Sequence, residues 1–260
     1  MPKDIVPKES LEWFKAKGIE PGFDYRDVWN EEHNNAFTVA KMLNADLLVD
    51  VKAIIEDAIE QGQTFAEFQA ILKPLLVKSG WWGIQEMIDP LSGESQPVQL
   101  GSEGRVRTIY NTNIRTARAA GQWERIERTK RAMPYLLYQL GPSMEHREEH
   151  VKWKDLLLPV DDPWWDTHMP INGWGCKCWV RQVSQLEAAK LTEADTVTTT
   201  APDDGTKRWV NKRTGEVETL PKGIEPGWNY NPGKHRQQAL SEDLIQKEAR
   251  MRQTLSNDSE

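Results

Sequence analysis

The chain has 260 residues, of which 38% are hydrophobic and 28% are charged, and its formal net charge is −7. This length allows one large domain or a smaller domain with polar extensions, and the acidic balance excludes a globally basic nucleic-acid-binding protein. The N-terminal residues lack the apolar segment of a secretory signal, and no stretch approaches the ~18 apolar residues of a membrane helix, so we expect folding in a cytoplasm without membrane association.

The first 104 residues divide into three predicted segments. Residues 1–32 are punctuated by proline and glycine and predict an extended arm. In residues 33–80, apolar side chains recur at near-helical intervals, which predicts a helical region. Residues 81–104 contain a run rich in glycine, serine and proline and predict a linker.

Two helices are predicted within the helical region. Gly62 is a stop signal for the first helix. Thr64, followed three residues later by Glu67, has the pattern of a capping box that begins the second helix. Because proline disfavours the helix interior, we expect this second helix to end near Pro74 or slightly beyond.

Residues 105–185 are predicted to form a second unit. A long helix covers 105–131 and ends before Pro134. The apolar run 135–140, YLLYQL, predicts a strand. Short strand candidates, including LLLPV and CWVRQV, follow in a loop-rich segment that is rich in tryptophan. The expected fold class is therefore α+β, with an N-terminal helical region, a long helix and a loop-rich small-β unit that zinc would cross-link.

Residues 186–260 predict a polar C-terminal extension, since they are rich in threonine, glycine and proline in their first part. The sequence KRWVN is a short strand candidate within it. A terminal helix is predicted over residues 236–256, and its apolar side consists of Leu240, Leu244, Ile245 and Met251.

Basic residues are concentrated on one side of the predicted long helix. At 100° per residue, Arg107, Arg118 and Arg125 lie within about 20° of one another, and Arg115 flanks them. Arginine binds oxyanions through two parallel hydrogen bonds, so one interpretation is a surface for phosphates or for an acidic partner. The alternative is an ordinary amphipathic helix with a solvated basic side, and the acidic charge of the chain weakens the DNA interpretation.

Two histidines and the only two cysteines form a candidate metal site. His146 and His150 are four residues apart, so on a helical turn they would share a face, and Cys176 and Cys178 follow as Cys-x-Cys. Two imidazoles and two thiolates are a complete tetrahedral ligand set for Zn²⁺. The alternative is a pair of buried thiols near two hydrogen-bonded histidines, because Cys-x-Cys is narrower than the usual cysteine spacing of structural zinc sites.

A second interpretation of the histidine pair is catalytic. His146, Glu149 and His150 match the His-x-x-Glu-His pattern of inverted zinc proteases, in which the glutamate activates water. That chemistry requires an open coordination position and a helix that carries the motif. Here the motif follows a Gly-Pro pair and thiolates are available to close the site, so we expect no enzyme activity.

One nine-residue segment occurs twice. Residues 17–25 read KGIEPGFDY and residues 222–230 read KGIEPGWNY. Each copy predicts a Pro-Gly turn followed by aromatic residues. The copies are either two similar turns or two equivalent docking elements for a repeated partner surface.

The order of motifs resembles that of the phage Mu F-like minor head proteins. The helix sequence YNTNIRTARAAG at 110–121 is similar to that family's helix motif. His146, WKD at 153–155, LPVDDPWW at 158–165 and HMPINGWGCKC at 168–178 are similar to its second half. Related head proteins carry a cysteine pair where this chain has two histidines, which implies a shared metal-binding role.

The resemblance implies a minor capsid component that acts in procapsid assembly near the portal. The implied partners are the portal protein, the scaffold or the major capsid protein. The implied location is the virion or procapsid, with assembly in the cytoplasm of the host bacterium. An alternative is an ejection protein that contacts the phage DNA and travels with it.

Overall fold

The computed structural model describes residues 7–234. In chain order its helices are α1 (Lys8–Lys15), a short 3₁₀ helix (Asn30–Asn34), α2 (Ala45–Gln61), α3 (Phe65–Lys78), α4 (Glu103–Thr129), α5 (Glu148–Lys152), α6 (Trp165–His168) and α7 (Gln185–Glu193). Its strands are β1 (Gly18–Ile19), β2 (Ala36–Phe37), β3 (Ile84–Ile88), β4 (Ser95–Gln99), β5 (Tyr135–Gln139), β6 (Leu157–Pro159), β7 (Trp179–Val183), β8 (Thr206–Val210) and β9 (Val217–Pro221). This mixture confirms the α+β class. The terminal helix predicted over residues 236–256 lies outside the described residues.

The predicted pair of helices is confirmed, but the first helix begins later than residue 33. Helix α2 begins after Asn44, whose side chain accepts a hydrogen bond from the backbone N–H of Leu47, and it ends at Gly62 with a left-handed φ of 60°. Helix α3 begins at the predicted capping box, in which the side chains of Thr64 and Glu67 each bond the other's backbone N–H. The start differs from residue 33 because the chain before α2 forms β2, which pairs in parallel with β1.

The segments predicted as an arm and a linker both contain regular structure. Within the described part of the arm, α1 buries Trp13 and Phe14 against the helices. Within the linker, β3 and β4 form an antiparallel hairpin that buries Val98. Both differences have the same cause. A short helix or hairpin is stabilised mainly by burying a few large side chains in tertiary contacts, and the periodicity of the sequence does not show those contacts.

Helix α4 joins two hydrophobic cores. Its first part packs with α1, α2 and α3 around the helical core, which includes Phe14, Leu48, Ile55, Phe68 and Leu72. Its last turns place Trp123 and Ile126 in the tryptophan core, which includes Trp153, Trp164, Trp165 and Trp228. No helix in the described part of the chain is long and apolar enough to span a membrane.

A three-stranded antiparallel sheet in the order β6-β5-β7 supports the tryptophan core. Successive side chains of a strand point to opposite faces. Leu136 and Tyr138 of β5 accordingly face the tryptophan core, whereas Leu137 packs with Val183 and Ala188 on the side of α7. The strands predicted in YLLYQL, LLLPV, CWVRQV and KRWVN are confirmed as β5, β6, β7 and β8.

Candidate metal centre

Two structural segments bring three of the four predicted ligands together. His150 lies on α5, and Cys176 and Cys178 lie on the loop that leads into β7. This loop turns at Gly175, whose φ of 72° favours glycine. It also passes so close to Gly141 that a Cβ there would lie 1.8 Å from the carbonyl oxygen of Lys177. Glycine is therefore required at position 141 for the loop to reach the histidine.

The distances within this group suit a tetrahedral zinc ion. The Nδ1 atom of His150 lies 3.9 Å from the Sγ atom of Cys176 and 3.5 Å from that of Cys178. All three donor atoms lie within 4.8 Å of one another. Zinc bonds of 2.0–2.3 Å to nitrogen and sulfur at tetrahedral angles separate two ligand atoms by about 3.6 Å. The donor set and its spacing thus fit zinc without rearrangement of these three residues.

The ring of His150 is oriented by the contacts of its other atoms. Its Nε2 lies 2.9 Å from the carbonyl oxygen of Gly223, so Nε2–H donates there and the Nδ1 lone pair faces the sulfurs. The ring stacks on Trp153 with 4.7 Å between centroids. A hydrogen bond from the remote nitrogen to a carbonyl is the usual support of a metal-binding histidine.

The two thiols differ widely in pKa. The hydrogen bond between them lowers the pKa of Cys178 to about 6 and raises the pKa of Cys176 to about 12. Burial adds to the rise at Cys176, which is 4% exposed. One sulfur is thus a thiolate near neutral pH, and a thiolate is the form that binds a metal.

His146, the fourth predicted ligand, lies near this group but is not part of it. Because α5 begins after Arg147, His146 lies before the helix, and the helical turn on which the two histidines would share a face does not include it. His146 nevertheless lines the same cavity of about 350 Å³ as His150 and both cysteines. Glu149, the residue a hydrolase would need, is not among the residues that line this cavity; its Cβ lies against Gly223.

The arginines predicted to form one basic surface have separate environments. The guanidinium of Arg107 lies over the ring of Phe65, 4.1 Å from its centroid. Arg118 is exposed and lines a cavity beside the cysteine loop.

The other two arginines bond within the chain. Arg115 donates to the carbonyl oxygen of Cys176 over 2.7 Å, so it supports the cysteine loop. Arg125 forms an ion pair with Glu9 of α1 at 3.4 Å. A helical wheel places these side chains on one side of α4, but their partners in the folded chain divide them.

Sequence reasoning missed the contribution of the second copy of the repeat. Glu225 accepts a hydrogen bond from the backbone N–H of Trp174 over 2.8 Å and pairs with Arg147. Gly223 supplies the carbonyl that orients His150. The repeated sequence was a signal that could have drawn attention to this segment. It did not reveal the contacts, because the residues that Gly223 and Glu225 contact are about fifty residues or more away along the chain.

His168 gives a pH-dependent prediction. Its ring is 7% exposed and stacks on Trp164 with 4.2 Å between centroids. Burial lowers the pKa of His168 to about 4, whereas an unfolded chain binds this proton near pH 6.5. The unfolded state therefore binds more protons between pH 6.5 and about 4, and the stability from the neutral ring is lost as the pH falls through this window.

An NMR titration of the histidine ring protons measures this directly, with the resonance assigned by a His168→Gln variant. We expect the signal to stay unshifted until the pH falls below about 5, given the ordinary width of a single titration. A midpoint near 6.5 would contradict the buried, neutral ring.

The chain is similar in sequence to one described family and to two phage or prophage proteins. The family described as "Phage Mu protein F like protein" matches residues 49–181, which include most of α2, all of α3 and the cysteine loop. "Putative capsid assembly protein F" of Escherichia phage Mu is 35% identical over 98% of this chain and 62% of the relative. "Mu-like prophage FluMu F protein" of Haemophilus influenzae is 31% identical over 79% of this chain and 52% of the relative. The chain thus spans between half and two thirds of these relatives. No solved structure matches it significantly.

Proposed function

The chain belongs to the phage Mu F-like protein family, and on this premise we propose that it is a minor capsid protein of a tailed phage or prophage that acts in head morphogenesis. One observation carries the proposal: 98% of the chain aligns at 35% identity with a relative whose name describes capsid assembly. The proposed location is the virion or procapsid, near the portal. The proposed partners are the portal protein, the scaffold or the major capsid protein.

An assembly role without catalysis is also supported by the site. The hydrolase interpretation receives less support, because Glu149, which would have to activate water, does not line the cavity with the cysteines and lies against Gly223 instead. The DNA-contacting alternative receives less support, because Arg107 packs on a ring, and Arg115 and Arg125 bond within the chain.

Quantitative mass spectrometry of purified procapsids and virions tests the proposal. We expect the chain in low copy relative to the major capsid protein, which serves as the internal standard. A deletion of its gene should reduce the yield of filled heads, and complementation should restore it. Absence of the chain from both particles would contradict the proposed function.

We further propose that the site holds a structural zinc ion, with His150, Cys176 and Cys178 as ligands. His146 lines the same cavity and is the residue available for the fourth position. Bound zinc would supply a cross-link between α5 and the cysteine loop, in a unit whose sheet has only three strands. Elemental analysis of protein purified without added zinc should find about one zinc per chain, as expected for one tetrahedral site.

A further inference from the structure

The two copies of the repeated segment lie on either side of one cleft along α4. Lys17 and Tyr25 of the first copy line it, and so do Gly227 and Trp228 of the second. Two adjoining cavities, of about 180 and about 60 Å³, make up this inter-repeat cleft. The copies are not equivalent docking elements, because Tyr25 is 40% exposed whereas its counterpart Tyr230 is 4% exposed.

Aromatic rings form one wall of the cleft. Trp174 lies between the two copies, with its centroid 6.0 Å from that of Tyr25 and 5.1 Å from that of Trp228. Trp174 is 42% exposed. Large aromatic side chains left this accessible in a concave site are characteristic of surfaces that bind a partner.

Aliphatic and cationic groups form the rest of the lining. Val39 and Ile109 contribute apolar surface, and the charged or titratable residues are Lys17, His33 and Arg105. Among the described residues that line the cleft there is no aspartate or glutamate, although the chain carries 40 acidic residues against 33 basic ones. The cleft is therefore apolar and locally positive in an acidic protein.

Among the charged residues of the cleft, Arg105 gives the clearest indication of which ligand would bind. Its guanidinium lies 4.8 Å from the centroid of the Trp81 ring and donates to the carbonyl oxygens of Ala40 and Gln99. A guanidinium has five N–H donors, so these two bonds leave further donors available. Burial lowers the pKa of Arg105, and the described residues that line the cleft include no carboxylate that could pair with it. A carboxylate from outside the chain would supply the missing countercharge.

We propose that the inter-repeat cleft binds an extended peptide segment of a partner protein, one that places an aliphatic side chain against Val39 and Ile109 and a carboxylate at Arg105. A peptide suits the lining better than single-stranded DNA does, because a nucleic acid carries a charge at every nucleotide and its affinity scales with the number of cations it contacts. The proposal goes beyond capsid assembly, since binding by the purified chain is measured independently of incorporation into particles.

Selection from a random peptide display library on the purified full chain tests the proposal. Selected peptides should be enriched in aspartate or glutamate next to leucine, isoleucine or valine. Their affinity, measured by fluorescence polarisation with labelled synthetic copies, should fall at least about tenfold in Arg105→Gln, as the loss of a charge-assisted pair implies. Oligo(dT) of twelve nucleotides is the second probe and should bind much more weakly than the peptides.

A second variant avoids the risk that Arg105→Gln disturbs folding. Thr108 is exposed and lines the cleft, and its hydroxyl donates to the carbonyl oxygen of Gly104 within α4. Thr108→Tyr should fill the cleft and also weaken peptide binding at least about tenfold. Thr129→Tyr, the same change on the same helix but outside the cleft, should leave the affinity within about twofold. Peptides without acidic enrichment, peptide binding unaffected by Thr108→Tyr, or tighter binding of oligo(dT) would each overturn the proposal.

Discussion

Replacing Cys176 and Cys178 together with serine should abolish zinc binding and lower the melting temperature by about 10 °C. Serine removes two of the proposed ligands, so α5 and the cysteine loop lose their cross-link. A loss of about 3–4 kcal/mol, at about 2–4 °C per kcal/mol for a chain of this size, gives a shift of this order. Differential scanning calorimetry and elemental analysis of the same samples measure both effects.

A chelator separates the loss of metal from the loss of packing, because serine at a buried cysteine position is itself destabilising. We expect a zinc chelator to lower the melting temperature of the unmodified chain and to leave the double serine variant unchanged. Ser143→Ala is the matched control: Ser143 lines the same cavity but is no proposed ligand, so this variant should keep its zinc. A metal-free native chain of full stability would favour the alternative of two buried thiols.

Gly121→Ala should destabilise the protein by about 2–3 kcal/mol, the usual scale of overpacking. In an exposed helix the same change would stabilise by up to about 1 kcal/mol, because alanine has the higher helix propensity. At Gly121 the added Cβ would lie 2.4 Å from the Oγ atom and 2.7 Å from the backbone nitrogen of Ser10. Helix α1 would have to move away from α4, so the packing effect exceeds the propensity effect.

Gly104 provides the matched control on the same helix. No atom lies within 4 Å of a Cβ added there, so Gly104→Ala should be neutral or stabilising by up to about 1 kcal/mol. Urea denaturation of both variants measures the free energies of unfolding. Equal effects of the two substitutions would show that α1 does not pack on α4 as described.

The parts of the fold that sequence reasoning predicted well depend on neighbouring residues. The capping box at Thr64, the stop at Gly62 and the strand after Pro134 are set by backbone hydrogen bonds and allowed dihedral angles over a few residues. The long helix was predicted for the same reason, since its periodicity extends over many turns. The arm was mispredicted because α1 is too short for such a pattern, and its two aromatic residues are buried only through contacts with distant helices.

The candidate metal centre shows the same division. Residue type and spacing were sufficient to name His150, Cys176 and Cys178, because few side chains are good zinc ligands. The orientation of His150 by Gly223 could not be inferred, because 73 residues separate the two. The start of α5 at Glu148, which leaves His146 outside the helix, was not inferred either, since no side chain caps this short helix.

By itself, the sequence determined the long helices, several of the strands and the residue types that can act as metal ligands, because propensity, capping and ligand type are properties of single residues and their neighbours. Only the tertiary structure decided what those residues face. In it, Arg107 packs on an aromatic ring, Arg115 donates to a backbone carbonyl and Arg125 forms an ion pair with α1. It also placed the two copies of the repeat on either side of one cleft. The physical reason is that contacts between distant segments follow from burying apolar surface in a shared core, and no local pattern records which segments will meet.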